Sequence, residues 1–347
     1  MSASSAPPGP VLIGLEGTEL TSRDRDQLQH ALTGGVVLFT RNYASPAQLR
    51  ELNQSVRETA TAPMLICVDH EGGRVQRFRD GFTRLPPLAV LGRIYADSPE
   101  HGCDFAYRHA RVMASELLVR GVDLSFAPVL DLDRESRVIG DRAFASEPGA
   151  VCALGGHYLA GMHDAGMKAC GKHFPGHGSV QADSHVDDVL DARQLMEIEV
   201  TDMTPFRALM SQLDSMMLAH VIYSSVDAQP AGYSRTWIGE ILRERLGYGG
   251  VVLSDDLGMH AALVAGTLVE RMRTALRAGC DAVLVCEPAQ VAELYAQASA
   301  DDAALGDGPA LSRLRGRALV TEQELPQVSE WRHWQKSLEE LEHSKWA

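Results

Sequence analysis

Eight short apolar runs, rich in β-branched residues, recur along the chain with polar and apolar residues mixed between them. They are VLIGL from Val11, GGVVLF from Gly34, MLICV from Met64, VDLSFAPVL from Val122, MKACGKHF from Met167, SMMLAHVI from Ser215, GVVLS from Gly250 and DAVLVC from Asp281. Continuous apolar strands alternating with amphipathic helices imply a parallel sheet covered on both faces. Eight such units predict a closed (β/α)8 barrel of the α/β class. From about residue 305 the chain is charged with helical spacing, and Trp331 and Trp334 share one face, which predicts a helical cap packed back onto the body. The first ten residues, MSASSAPPGP, read as a frayed tail, so residues 11–347 form the single expected domain.

Composition narrows what such a barrel does. A length of 347 residues suits one α/β barrel, and 45% hydrophobic with 22% charged residues is the balance of a globular protein with a sizeable core. A net charge of −14 repels polyanionic backbones, so nucleic acid is not an expected partner. The six cysteines are scattered without a C-x-x-C pair and read as reduced thiols of a cytoplasmic protein. The N-terminus has neither the basic region nor the apolar region of a signal peptide, and no apolar run approaches the roughly 18 residues that span a bilayer. The expectation is a cytoplasmic monomer acting on a small molecule, without membrane or nucleic-acid partners.

The polar residues place a site at one end of the barrel. Five of the apolar runs end in titratable groups: Asp69, His70 and Glu71; Asp131 and Asp133; Lys172 and His173; His220; and Asp255 with Asp256. Any one of these is explained by capping of the following helix, but five together match a barrel active site at the C-terminal ends of the strands. Pro175, Gly176 and Gly178 break the strand directly after Lys172 and His173, leaving a loop that carries Asp183 and His185. Two residues apart on an extended segment, those two side chains point to the same side. The carboxylate then orients the imidazole for proton transfer near neutral pH. A second group comes from Asp255 and Asp256, of which one faces the pocket and the other caps the next helix; spacing leaves open which.

The runs VDHEGGRVQRF, IGDRAF, KHFPGHG, DSH and SDDLGM occur in this order between Val68 and Met259 and resemble the single-domain bacterial members of glycoside hydrolase family 3, the N-acetylglucosaminidases of peptidoglycan recycling. The resemblance spans about residues 11 to 290. It implies Asp255 as nucleophile, with Asp256 as the capping partner, and His185 as acid/base supported by Asp183. It further implies sugar contacts from Asp69, Arg77, Arg142, Lys172 and His173. The implied reaction removes terminal non-reducing β-linked N-acetylglucosamine from muropeptides with retention of configuration, and needs no metal or organic cofactor. The residues alone single out neither Arg77, a surface charge among Arg74 and Arg79, nor Arg142, which Asp141 or a neighbour would hold. Asp131 and Asp133 have no assigned role beyond bracing Arg137 or Arg142, His177 reads as a brace for its loop, and His220 as a core histidine.

Other chemistries remain open at this stage. His173, His177, His185 and Asp183 contain the donor types of a zinc site, although their spacing fits no standard zinc motif. Another family 3 specificity, such as β-glucosidase, is the nearest rival. A neutral histidine acid/base would also tolerate phosphate as the acceptor, which would make the enzyme a phosphorylase. A non-catalytic glycan-binding protein would have no need of Asp255, Asp183 and His185 together.

Overall fold

The computed structural model describes residues 7–134, 136–180, 189–341 and 344. The eight apolar runs form the eight strands of one parallel sheet: β1 (Val11–Gly14), β2 (Thr33–Leu38), β3 (Leu65–Val68), β4 (Leu124–Ser125), β5 (Cys170–Phe174), β6 (Ser215–Leu218), β7 (Val251–Asp256) and β8 (Ala282–Val285). Each strand except β4 pairs with the next in sequence, and β8 returns to β1 with Leu12 opposite Leu284. The ring closes between β4 and β5 through a parallel bridge from Val129 to Lys172, with the Cys170 N–H donating to the Ala127 carbonyl at 2.8 Å. Sequential parallel order of this kind is what right-handed β-helix-β crossovers produce when the sheet closes on itself.

Helices cover the outside: α1 (Ser22–Leu28), α2 (Pro46–Thr59), α3 (Leu88–Asp97), α4 (Pro99–Leu118), α5 (Pro148–Ala165), α6 (Leu195–Val200), α7 (Met203–Leu209), a π-helical segment Thr236–Arg245, α8 (Leu268–Ala278) and α9 (Pro288–Gln297). Their starts are set locally. Thr21 and Thr267 close capping boxes with Asp24 and Glu270, and Ser45 accepts the Gln48 N–H ahead of Pro46. Because both faces of the sheet are buried, the core has two layers. One packs strands against helices through Val11, Ile13, Val36, Leu38, Ile66 and Val68. The other fills the barrel interior with Leu12, Val37, Leu65, Cys67, Leu124, Phe126, Cys170, Met217, Val251, Leu253, Ala282 and Leu284.

Two expectations about the ends need correction. Gly9 and Pro10 are buried, with Gly9 donating to the Thr33 carbonyl at 3.0 Å and the Pro10 carbonyl accepting from Val283 at 2.9 Å. Gly9 and Pro10 therefore belong to the barrel, because these backbone groups extend the start of β1. The C-terminal region is more than a cap. A short turn at Gly308–Leu314 inserts Ala310, Leu311 and Leu314 into the interior layer as the floor of the barrel. The helix α10 (Ser329–Leu341) then packs on α4, with Trp334 edge-on to Tyr107 at 5.9 Å. No helix among the described residues is long and apolar enough to cross a membrane.

Candidate active site

With its floor plugged, the barrel opens at the C-terminal ends of its strands into a cavity of about 430 Å³, within the size range of small-molecule sites. Strand parity decides who lines it. Stepping two residues beyond the inward-facing Val37, Cys67, Cys170, Leu253 and Leu284 reaches Phe39, Asp69, Lys172, Asp255 and Cys286, and all five lie on the cavity wall. Arg77, Arg142 and His173 join them, so the six described residues expected in the site come together. Asp183 and His185 fall in the segment 181–188, outside the described residues.

Parity also separates the two adjacent acids. Asp255 continues the inward row of Val251 and Leu253, and its Oδ1 accepts the Asp256 N–H at 2.8 Å. Asp256 also touches the cavity, and the expectation that it caps the following helix is not met. Its Oδ1 accepts the N–H groups of Gly258 at 3.0 Å and Cys286 at 3.1 Å, tying the end of β7 to the end of β8. The reason is distance along the chain, since α8 starts at Leu268 and already has Thr267 as its cap. Burial pushes the Asp256 carboxyl up to about 6.

Across the mouth sits a chain of alternating charges. Lys172, only 2% exposed, donates to Asp69 at 2.7 Å and pairs with Glu71 at 2.6 Å. Glu71 in turn receives Nε and Nη2 of Arg142, each at 2.8 Å, in a bidentate pair, and Arg77 reaches Asp69 at 3.5 Å. Burial alone would raise both carboxyls and lower Lys172. The opposite charges prevail: Lys172 and Arg77 hold Asp69 far below the usual range, Arg142 and Lys172 hold Glu71 at about 2, and Lys172 rises. Asp69, Glu71 and Lys172 are thus charged at neutral pH, and the set offers both hydrogen-bond donors and acceptors to a polar ligand. Arg142 is held by Glu71, while Asp141 pairs with Arg74 at 3.1 Å.

A second buried acid organises the end of β5. Asp131 is fully buried and accepts the His173 N–H at 3.1 Å, its Nδ1 at 2.6 Å and the His177 N–H at 2.7 Å. Burial raises its carboxyl, but His173 outweighs this and lowers it, so Asp131 is ionised. A carboxylate only accepts, so the Nδ1 of His173 carries a proton and donates it to Asp131. The Lys172–His173 peptide is cis, and both side chains line the cavity. The hydrogen-bond partners of Asp131 are His173 and His177, its charge reaching Arg142 only at longer range, and Asp133 is exposed. His177 is buried, with its imidazole lowered to about 4 by burial, and braces the loop as expected. His220 packs at 5.4 Å from Tyr233 and does not reach the cavity, as befits a core histidine. No group of three or more metal-ligating side chains is poised for a metal ion among the described residues.

The pattern of the glycosyl hydrolase family 3 N terminal domain matches residues 12–305. The chain belongs to glycosyl hydrolase family 3. A beta-hexosaminidase of Thiobacillus denitrificans is 56% identical over 287 residues, 82% of this chain and 80% of that protein. One from Nitrosomonas eutropha is 47% identical over 336 residues, 96% of each chain. The family 3 barrel superimposes with a TM-score of 0.89 on NagZ of Neisseria gonorrhoeae, 40% identical and covering 98% of this chain and 99% of that one, whose crystal structure holds N-trifluoroacetyl-D-glucosamine. The gonococcal protein has also been crystallised with a zinc ion. The sequence motifs thus led to the right family and fold. Glu71 and Asp131, which hold three of the cavity's cationic or imidazole side chains, were not assigned there.

Proposed function

We propose that this family 3 enzyme is a retaining β-N-acetylhexosaminidase that removes terminal non-reducing N-acetylglucosamine from muropeptides, including the disaccharide with 1,6-anhydro-N-acetylmuramic acid, during cytoplasmic peptidoglycan recycling. The observation that carries this reading is the placement of Asp255 on the cavity wall with Asp69, Arg77, Arg142, Lys172 and His173. Similarity to named beta-hexosaminidases supports the amino-sugar specificity.

In this reading the charged set holds the hydroxyls of the terminal sugar and the Asp255 carboxylate attacks its anomeric carbon. His185, oriented by Asp183, gives a proton to the leaving oxygen as the glycosidic bond breaks and a glycosyl ester forms on Asp255. His185 then takes a proton from water, whose oxygen displaces Asp255, so two inversions give net retention. Phe126, Met217, Leu284 and Cys286 add apolar surface to the wall of the same cavity. No step calls for a metal.

The test compares hydrolysis of p-nitrophenyl N-acetyl-β-D-glucosaminide with that of the matching glucoside, in wild type and Asp255→Ala, with and without phosphate and after exhaustive chelation. Strong preference for the N-acetylated sugar, abolished in the variant and indifferent to chelator, is expected. Preference for the glucoside, a sugar phosphate as product, or undiminished turnover in Asp255→Ala would each overturn a stated part of it.

A further inference from the structure

We infer that Glu71, a side chain that does not itself line the cavity, is the positioning residue that fixes Lys172 and Arg142 as one rigid pair of donors toward the bound sugar. The inference rests on the sugar-contact roles proposed above for those two cations. Glu71 is 2% exposed and lies behind the wall formed by Asp69, Lys172 and Arg142. One carboxylate serves both cations, with Oε1 at 2.6 Å from Lys172 Nζ and both oxygens engaged by Arg142 at 2.8 Å. Bidentate guanidinium–carboxylate pairing fixes a plane as well as a distance, which an isolated cation on a flexible stem lacks.

The backbone that carries Glu71 is itself locked. It belongs to a two-strand hairpin, His70–Gly72 against Val75–Gln76, directly after β3. Gly72 turns there with φ 107°, and a Cβ would stand 2.5 Å from the Pro86 carbonyl oxygen and 2.9 Å from His109 Nε2. His70 on one side is wedged against Phe78 and Phe82 at 5.6 and 5.4 Å. The carboxylate therefore has little freedom of its own, and it passes that rigidity to Arg142, which arrives from a segment 71 residues further along the chain.

Charge gives a second, separable consequence. Lys172 and Arg142 repel each other, and Asp69 and Glu71 together keep Lys172 protonated against burial. With glutamine at position 71 Lys172 keeps Asp69 while both cations lose their shared counter-ion, so Arg142 is left with the Val138 carbonyl at 3.4 Å and Lys172 loses its proton at lower pH.

The experiment measures kcat and KM for p-nitrophenyl N-acetyl-β-D-glucosaminide, affinity for N-acetyl-D-glucosamine by calorimetry, and the pH profile of kcat/KM, in wild type, Glu71→Gln and Glu71→Asp. Glu71→Gln is expected to raise KM and weaken N-acetylglucosamine on the order of tenfold or more. Its alkaline limb moves to lower pH, while kcat changes less than KM. Glu71→Asp keeps the charge but cannot span both cations, so its limb stays near wild type while affinity falls. A purely structural glutamate would lower the yield of active enzyme and leave KM and the limb alone, and that result in either soluble variant overturns the inference. If Glu71→Gln does not fold, the KM and affinity of Glu71→Asp decide. A wild type that prefers a different sugar overturns the proposed specificity instead, and the Glu71 variants are then read on that sugar.

Discussion

Asp131 is the residue whose removal separates geometry from charge in this site. It accepts from both the backbone and Nδ1 of His173 and from the His177 N–H, with no exposure to solvent. Asparagine there is nearly isosteric, but its amide can donate where the carboxylate only accepts, so the imidazole loses the partner that selects its tautomer. Asp131→Asn is expected to lower kcat/KM by roughly 10- to 100-fold, the range typical when a partner orienting a functional histidine is lost. A wild-type kcat/KM in a folded variant would remove Asp131 from the machinery. Neither this acid nor Glu71 could be assigned from the chain alone, and the reason is physical. Each acts on partners 42 to 101 residues away, Asp131 on His173 and Glu71 on Arg142 and Lys172. Only barrel closure makes them neighbours. Choosing between Asp255 and Asp256 was closed to spacing for a related reason. Both faces of a parallel strand are apolar, so VVLS carries no alternation to say which parity points inward.

The strands were legible because a parallel barrel buries them on both sides, leaving runs of Val, Ile and Leu that stand out from amphipathic helices. All eight runs became strands in the expected order. The floor was not legible, because Gly308–Leu314 is a short turn with too few residues to show a period, set in a region otherwise read as a helical cap. Its contribution is nevertheless large. Leu311 is 1% exposed and packs into the interior layer, and a Cβ on Gly34 would meet its Cδ1 at 2.6 Å. Leu311→Ala is expected to destabilise the protein by about 2 to 5 kcal/mol, transfer loss plus cavity. The cavity opens at the opposite mouth, so KM should stay as it is. Chemical denaturation with kinetics on the same preparation checks both halves, and a change in KM without loss of stability would show that the floor does not act as packing alone.

For the molecule as a whole, burial of neutral titratable groups sets how stability changes with pH. Burial lowers His70 to about 3, and His109 and His177 to about 4, so the unfolded chain binds protons at these positions that the folded one refuses. Their contribution is present above about pH 6.5 and is lost as pH falls toward 4. Glu116 runs the other way. It is 2% exposed on α4, and burial raises it to about 7 although Thr83 donates both its N–H, at 2.9 Å, and its hydroxyl, at 2.6 Å. With a folded value above the unfolded one near 4.5, its favourable contribution is complete below pH 4.5 and is lost as pH rises to about 7. Asp256, raised to about 6, runs with Glu116, but three histidines outweigh the two acids, so the melting temperature should climb from pH 4 to 6.5 while Glu116 blunts the slope. Replacing it isolates its share. The stability of Glu116→Gln relative to wild type should grow from pH 4.5 to 7 by roughly 3 kcal/mol and then level off. Melting curves of the two proteins across that range decide it: a difference that stays constant would mean Glu116 is ionised in the folded protein, its desolvation offset by Thr83 and Arg120.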